Sequence, residues 1–200
     1  HAYIKKRYLA FYVADVSGHG ASSAFVTIWL KHLVYWMVRD EGLFADESSF
    51  ETGPDDMLRE INDELHDTQL NHHLTFFVGV IDTFTNKLHY SIAGHLPAPV
   101  LYTAEGAVYL EGKGKPVGIF KDVNWEVYSH SLPQSFSLAC FSDGVLEIMP
   151  PDDLQAKEDM LLELVSDSGG QIDTLCKNLA LDSIAEAPDD IAIMTVSKGQ

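Results

Sequence analysis

The sequence predicts an α+β fold in which antiparallel sheets are flanked by helices. Three observations carry this reading. Helical and strand-like segments are segregated along the chain and do not alternate as βαβ units. The strand-like segments are short and several are joined by brief turns, as in hairpins. A hydrophobic fraction of 46% and a charged fraction of 22% over 200 residues suit one folded domain with a full core.

The first element is the apolar run 8–14, a strand that stops at Asp15. The turn Ser17-Gly18-His19-Gly20 then leads into an apolar stretch, 21–38, of helical character, with Ser22 or Ser23 placed to cap or line its first turn. Residues 40–53 read as a loop. A second helix is expected to start at Thr52-Gly53-Pro54-Asp55-Asp56, with proline in the first turn and carboxylates at the positive end of the helix dipole. Met57, Leu58, Ile61 and Leu65 give it one apolar stripe. Strands at 74–82 and 88–92 flank the hairpin connection 83–87, and strand-like pieces follow at 100–102, 107–110, 125–131 and 136–141. Helical segments at 153–166 and 171–186 precede a closing strand, 191–196. No internal repeat or linker divides the chain, so residues 1–200 read as a single domain.

Thirty acidic residues against thirteen lysines and arginines give a net charge of −17. Such a surface repels phosphate backbones and anionic lipid, which excludes nucleic acid and membranes as expected partners and argues against a metal-dependent nuclease. No apolar run approaches the roughly 20 residues that span a bilayer, and no signal-peptide pattern opens the chain. Cys140 and Cys176 lie in apolar contexts without a CxxC pair, and read as buried thiols of a reducing, cytoplasmic compartment. Residues 40–67 hold eleven acidic residues and, of the lysines and arginines, Arg59 alone. A solvated face is the plainer reading of that run, a docking surface for a basic partner the sharper one. The chain opens on His1, not Met, as a piece of a longer protein would.

Chemistry is suggested by three aspartate positions at the edges of apolar β-runs: Asp15 after FYVA, Asp143 after LACFS, and Asp189 with Asp190 before IAIMTV. Strand ends are rigid enough to hold carboxylates in a fixed constellation. Each taken singly is ordinary turn chemistry. Converging carboxylates need a positive charge among them, and with few basic residues near these motifs a divalent cation supplies it. All-oxygen ligation suits Mg²⁺ or Mn²⁺, whereas zinc recruits His and Cys, and no HExxH spacing occurs. His72-His73 reads as a solvent-exposed pair, and His32 as a packed or surface histidine.

The run Asp15-Val16-Ser17-Gly18-His19-Gly20 resembles the DVSGHG signature of bacterial metal-dependent serine/threonine phosphatases of the SpoIIE and RsbU type, the bacterial branch of the type 2C (PPM) protein phosphatases. TFFVGVID at 75–82, LHYSIAGH at 88–95, GKPVGIF at 114–120, FSDGV at 141–145 and DDI at 189–191 resemble the later segments of that family, in the same order. The resemblance implies a four-layer αββα sandwich with two Mn²⁺ or Mg²⁺ ions at one end of the central sheets. It implies that Asp15 bridges both ions, that the Val16 carbonyl contacts one, and that Asp143 and Asp189 hold the other, with Asp190 the alternative to Asp189. Ser17, Gly18 and Gly20 form the tight turn that lets backbone approach the ions. Asp15 and Asp143 are the expected catalytic carboxylates. His19, the nearest histidine in sequence, is a candidate general acid or a loop-packing residue, and so is His95.

Two departures stand out. The family carries a Gly-Gly-Asp strand before DVSGHG whose acidic residue supports the second metal, and residues 1–14 contain no Asp or Glu. Either that strand precedes His1 or it is lost, and the second metal site is expected to be incomplete here. The AGH segment continues Leu96-Pro97, where the family usually has two prolines. The implied reaction is hydrolysis of phosphoserine or phosphothreonine on a protein by a metal-activated water. The implied partners are a phosphorylated anti-anti-sigma-like substrate and an upstream sensory or receiver domain. The competing expectation is a phosphatase-shaped module that binds a partner without turnover.

Overall fold

The computed structural model describes residues 1–68, 71–150, 152–181, 184 and 188–199. In chain order its elements begin with β1 (Ala2–Ile4), β2 (Tyr8–Val16), α1 (Ala21–Arg39), α2 (Glu47–Asp67), β3 (Leu74–Asp82), β4 (Lys87–Ala93) and β5 (Val100–Thr103). They continue with β6 (Gly106–Tyr109), β7 (Tyr128–Ser131), β8 (Phe136–Phe141), α3 (Gly144–Glu147), α4 (Leu154–Asp167), α5 (Ile172–Asn178) and β9 (Ile193–Lys198). Two units emerge, both discontinuous in sequence: His1–His95 with Gly112–Ser131, and Leu96–Glu111 with Leu132–Gln200.

The first unit is an antiparallel sheet in the order β1-β2-β3-β4-β7 with α1 and α2 packed on it. Alternation along the strands sets the packing face. Tyr8 and Ala10 of β2, with Phe76, Val78 and Val80 of β3, share a core with Val26, Leu30 and Met37 of α1 and with Met57, Leu58 and Ile61 of α2. On the opposite face, Phe11 lies 6.1 Å from Phe77 between ring centroids, and Gly79 leaves room for the Phe11 ring, which comes within 2.8 Å of where a Cβ would stand. The β2–β3 register runs from Tyr8 opposite Asp82 to Asp15 opposite Thr75. At the Asp82 end, Arg7 donates from Nη2 (2.6 Å) and Nε (3.1 Å) to the buried carboxylate, and this guanidinium holds Asp82 down at about 2.

Helix α2 starts earlier than expected. Asp46 caps it by accepting from the Ser49 N–H at 2.8 Å, while the Ser49 hydroxyl accepts from the Asp46 N–H, a reciprocal capping box. Residues 47–53 are therefore helix and Pro54 lies inside it. The early turn is anchored by Phe50, stacked 5.0 Å from Tyr8, and by the Phe44 ring lying on Gly53. Helix α1 begins at the N-cap Gly20, and neither serine caps it: the Ser23 hydroxyl donates to the Gly20 carbonyl, and Ser22 turns to His72.

The second unit is an antiparallel sheet in the order β6-β5-β8-β9. Val100, Ala139 and Phe141 of this sheet share a core with Val145, Leu161, Val165 and Leu175 of the helices. Asp153 caps α4 by accepting from the Ala156 N–H at 3.0 Å, and the Tyr109 hydroxyl ties β6 to α4 by donating to the Glu158 carbonyl at 2.7 Å. Helix α5 ends at Asn178, short of the expected 186, where Ala180 takes a left-handed φ of 53°. Residues 182, 183, 185 and 186 of that expected helix lie outside the described residues. Among the described residues no helix is long and apolar enough to cross a membrane.

Candidate active site

Asp15 is the penultimate residue of β2, exposed, and fixed in the ladder opposite Thr75. Val16 ends the strand opposite Leu74. The turn that follows is braced by two histidines. The Ser17 N–H donates to the His73 carbonyl (2.9 Å), and the Ser17 hydroxyl accepts from the His73 N–H (2.9 Å). The His72 ring spans the turn, with Nδ1 2.8 Å from the Ser17 carbonyl and Nε2 2.7 Å from the Ser22 hydroxyl. A carbonyl only accepts, so Nδ1 carries a proton. Gly18 and Gly20 take φ of 86° and 87°, which glycine adopts without strain.

His72 is thus half-buried and structural, not the exposed residue expected, and it links the strand end to the first turn of α1. His19 projects from the same turn and is exposed. His95 is buried, its ring stacked 6.3 Å from Phe77. The 114–120 stretch is tied to this unit by the buried Asn62 of α2, whose amide donates to the Phe120 carbonyl (3.1 Å) and accepts from the Gly118 N–H (2.8 Å). Asn62 was missed in the sequence. Its one signal is a polar residue four positions after Leu58, on the apolar face of α2.

In the second unit the SDG and DDI segments abut. The Ser142 N–H donates to the Ala192 carbonyl (2.9 Å), the Ser142 hydroxyl donates to the Asp190 carbonyl (2.8 Å), and that hydroxyl accepts from the Ala192 N–H (2.8 Å). A Cβ on Gly144 would stand 2.4 Å from the Asp190 carbonyl oxygen. Asp143, Asp189 and Asp190 are exposed, and the Asp189 carboxylate accepts from the Asp190 N–H at 2.8 Å.

Asp143 and the Asp189–Asp190 pair are therefore brought together in one unit, while Asp15, Val16 and His19 belong to the other. Within either unit, no three His, Cys, Asp or Glu side chains among the described residues gather to enclose an ion. The donor chemistry nonetheless fits Mg²⁺ or Mn²⁺: carboxylates from two abutting segments, all hard oxygens. Among the described residues the ion pairs are Arg7 with Asp82 and Arg59 with Asp55 and Asp56, so no lysine or arginine neutralises Asp143, Asp189 or Asp190. Cys140 offers no competing thiolate, since complete burial pushes its thiol well up.

Two antiparallel sheets with flanking helices match the fold of type 2C phosphatase-like domains. The SiaA-PP2C domain of Pseudomonas aeruginosa superposes with a TM-score of 0.75 at 15% identity, over 96% of this chain and 79% of that one. The RsbU and RsbW domains of a Mycobacterium tuberculosis protein give a TM-score of 0.78 at 24% identity, over 96% of this chain and 52% of that one. The chain belongs to the stage II sporulation protein E (SpoIIE) family, whose model matches residues 5–198. Among curated relatives, phosphoserine phosphatase RsbP of Bacillus subtilis is 28% identical over 140 residues, which are 68% of this chain and 32% of RsbP. The chain thus matches about a third of the length of that relative.

Proposed function

We propose that this chain hydrolyses phosphoserine or phosphothreonine on a regulatory protein of a bacterial signalling system, in the cytoplasm, with Mn²⁺ or Mg²⁺ as cofactor. The observation that carries the reading is the abutment of Asp143 with Asp189–Asp190, exposed carboxylates that no described lysine or arginine neutralises. Membership of the SpoIIE family supports it, and RsbP bears the name of a phosphoserine phosphatase. A phosphorylated anti-anti-sigma-like protein is the proposed substrate class, with a sensory or receiver domain regulating the same polypeptide.

In the first unit Asp15 and the Val16 carbonyl are the proposed metal ligands, and in the second unit Asp143 with Asp189, or Asp190 in its place. Bound there, two divalent ions supply charge neutralisation for the phosphoryl oxygens and an acidified water. The residues of the chain do the positioning. The Gly18 and Gly20 conformations expose backbone beside Asp15, and the His72 bridge keeps that turn from relaxing. His19, exposed on the same turn, is the proposed source of the proton for the leaving serine oxygen. The second reading is a module that binds a partner without turnover.

The test is phosphate release from a phosphoserine peptide. Activity with Mn²⁺, its loss in chelator, and its retention in Cys140→Ala are expected. Undiminished turnover in chelator would overturn the metal-dependent reading. Mn²⁺ binding without turnover at any metal concentration would establish the binding module instead.

A further inference from the structure

We infer that Ser142 and Gly144 are positioning residues that lock the Asp189–Asp190 segment against Asp143; the inference rests on the proposed metal-binding role of those carboxylates. The regular β8–β9 ladder ends at the pair Phe141–Ile193. One step beyond it the Ser142 N–H still reaches the Ala192 carbonyl at 2.9 Å, but the returning bond is no longer between backbones. The Ala192 N–H donates instead to the Ser142 hydroxyl (2.8 Å), which itself donates a hydrogen bond to the Asp190 carbonyl (2.8 Å). One side chain, 9% exposed, thus satisfies the acceptor of Asp190 within the DDI run and the donor of Ala192 just after it. Because each bond satisfies the other half of the hydroxyl, the segment is held in one orientation and not simply tethered.

Gly144 closes the lock from the other side. Its missing Cβ is the space into which the Asp190 carbonyl projects: an added Cβ would lie 2.4 Å from that oxygen, 3.0 Å from its carbon and 3.4 Å from the Asp189 carbonyl carbon. An alanine here would have to drive the Asp190 carbonyl outward by about an ångström to reach ordinary contact. The Asp190 carbonyl is therefore gripped by Ser142 and abutted by Gly144, and Asp143 lies between those two residues in the chain. The serine and glycine of the SDG run act through the backbone of the DDI run, setting the spacing of carboxylates they never touch. Residues that orient ligands in this way typically change metal affinity or activity by about 10–100-fold when removed.

The experiment compares the native chain with Ser142→Ala, Ser142→Thr and Gly144→Ala. Its readouts are Mn²⁺ titration by calorimetry, amide hydrogen exchange at Ala192, and thermal melting without metal. Ser142→Ala should keep a cooperative melt, exchange faster at Ala192 and bind Mn²⁺ about 10–100-fold more weakly. Ser142→Thr, which restores the donor and acceptor, should return exchange and affinity to near native. Gly144→Ala should weaken Mn²⁺ comparably although it keeps the hydroxyl, and if it does not fold the serine pair still decides. Native Mn²⁺ affinity in Ser142→Ala, or equal losses in the alanine and threonine variants, would overturn the inference. A native chain that binds Mn²⁺ but releases no phosphate would overturn the proposed activity and leave this comparison intact, whereas one that binds no Mn²⁺ would overturn both.

Discussion

Asp82→Asn is expected to destabilise the chain by about 2 kcal/mol at pH 7, and by about half as much at pH 3. The carboxylate is 2% exposed and accepts two bonds from Arg7 and one from the Phe84 N–H at 3.0 Å. Those donors lower it from 3.8 to about 2. Holding the carboxyl at about 2 in the folded state against 3.8 in the free group, at about 1.36 kcal/mol per tenfold change in proton affinity, stabilises the native state by roughly 2 kcal/mol wherever both states are ionised. The contribution is complete well above pH 4, falls as the unfolded chain begins to hold the proton, and is nearly gone once the pH passes below about 2. Urea titrations of the two proteins at pH 7 and pH 3, monitored by circular dichroism, measure the gap. A gap below about 0.5 kcal/mol at pH 7, or one that does not change with pH, would refute the assignment of Asp82's stabilising role to its ionised form. Mn²⁺ affinity should be untouched. The Asp82 and Asp15 positions lie seven residues apart along the β2–β3 ladder, roughly 24 Å at the rise of a strand.

Gly53→Ala sets helix propensity against packing: alanine gains up to about 1 kcal/mol as a helix former, but its Cβ would stand 2.4 Å from the Phe44 ring. Overpacking should win, for a net loss of about 1–2 kcal/mol in urea titration. His72→Ala removes the bridge between the Ser17 carbonyl and the Ser22 hydroxyl, and should cost about 1–2 kcal/mol of stability. Its turnover should fall, while Mn²⁺ binding at Asp143 is expected to remain. Asp15→Asn and Asp143→Asn should each reduce phosphate release to background with cooperative melting preserved, and near-native rates in both would move the active site elsewhere.

Most of the strands, and the helices α1 and α4, were legible in the sequence because their signals are local: apolar runs of strand length, a hairpin turn, an apolar stretch after a glycine turn. Helix α2 was placed too late because Pro54 with Asp55-Asp56 is a strong start signal, while the true start depends on a capping box and on Phe50 stacking on Tyr8 of β2. Such a contact has no sequence signature. Of the candidate site, the carboxylates could be named because aspartate at a strand end stands out against an apolar run. The residues that hold them in place could not. His72 and Asn62 act on backbone groups more than fifty residues away, and although Asn62 stands out as a polar residue on an apolar helix face, nothing nearby names its partner. The serine and glycine of SDG were visible as motif letters, but their work on the Asp190 carbonyl became readable only once the two segments were seen side by side.

The interrupted path of the chain through its two units bears on how the protein can be made. The first sheet lacks its edge strand β7 until residue 131 has been synthesised, and the β5–β6 hairpin is inserted before it. Neither unit is contiguous, so neither can be excised by choosing two cut points. On a ribosome the β2–β3 pairing, bridging two helices, can form early, but β8 must wait for β9 more than fifty residues later. Both pairings close loops of more than fifty residues and so form slowly, but the β8–β9 pairing also comes last in the order of synthesis. Asp143 therefore leaves the ribosome long before the segment that Ser142 grips, and a nascent chain cannot close that end of the sheet until residues 193–198 are free to pair. Nonsense mutations upstream of β9 should accordingly leave the first sheet protected from protease while β8 stays open, a pattern that pulse proteolysis of stalled chains can display.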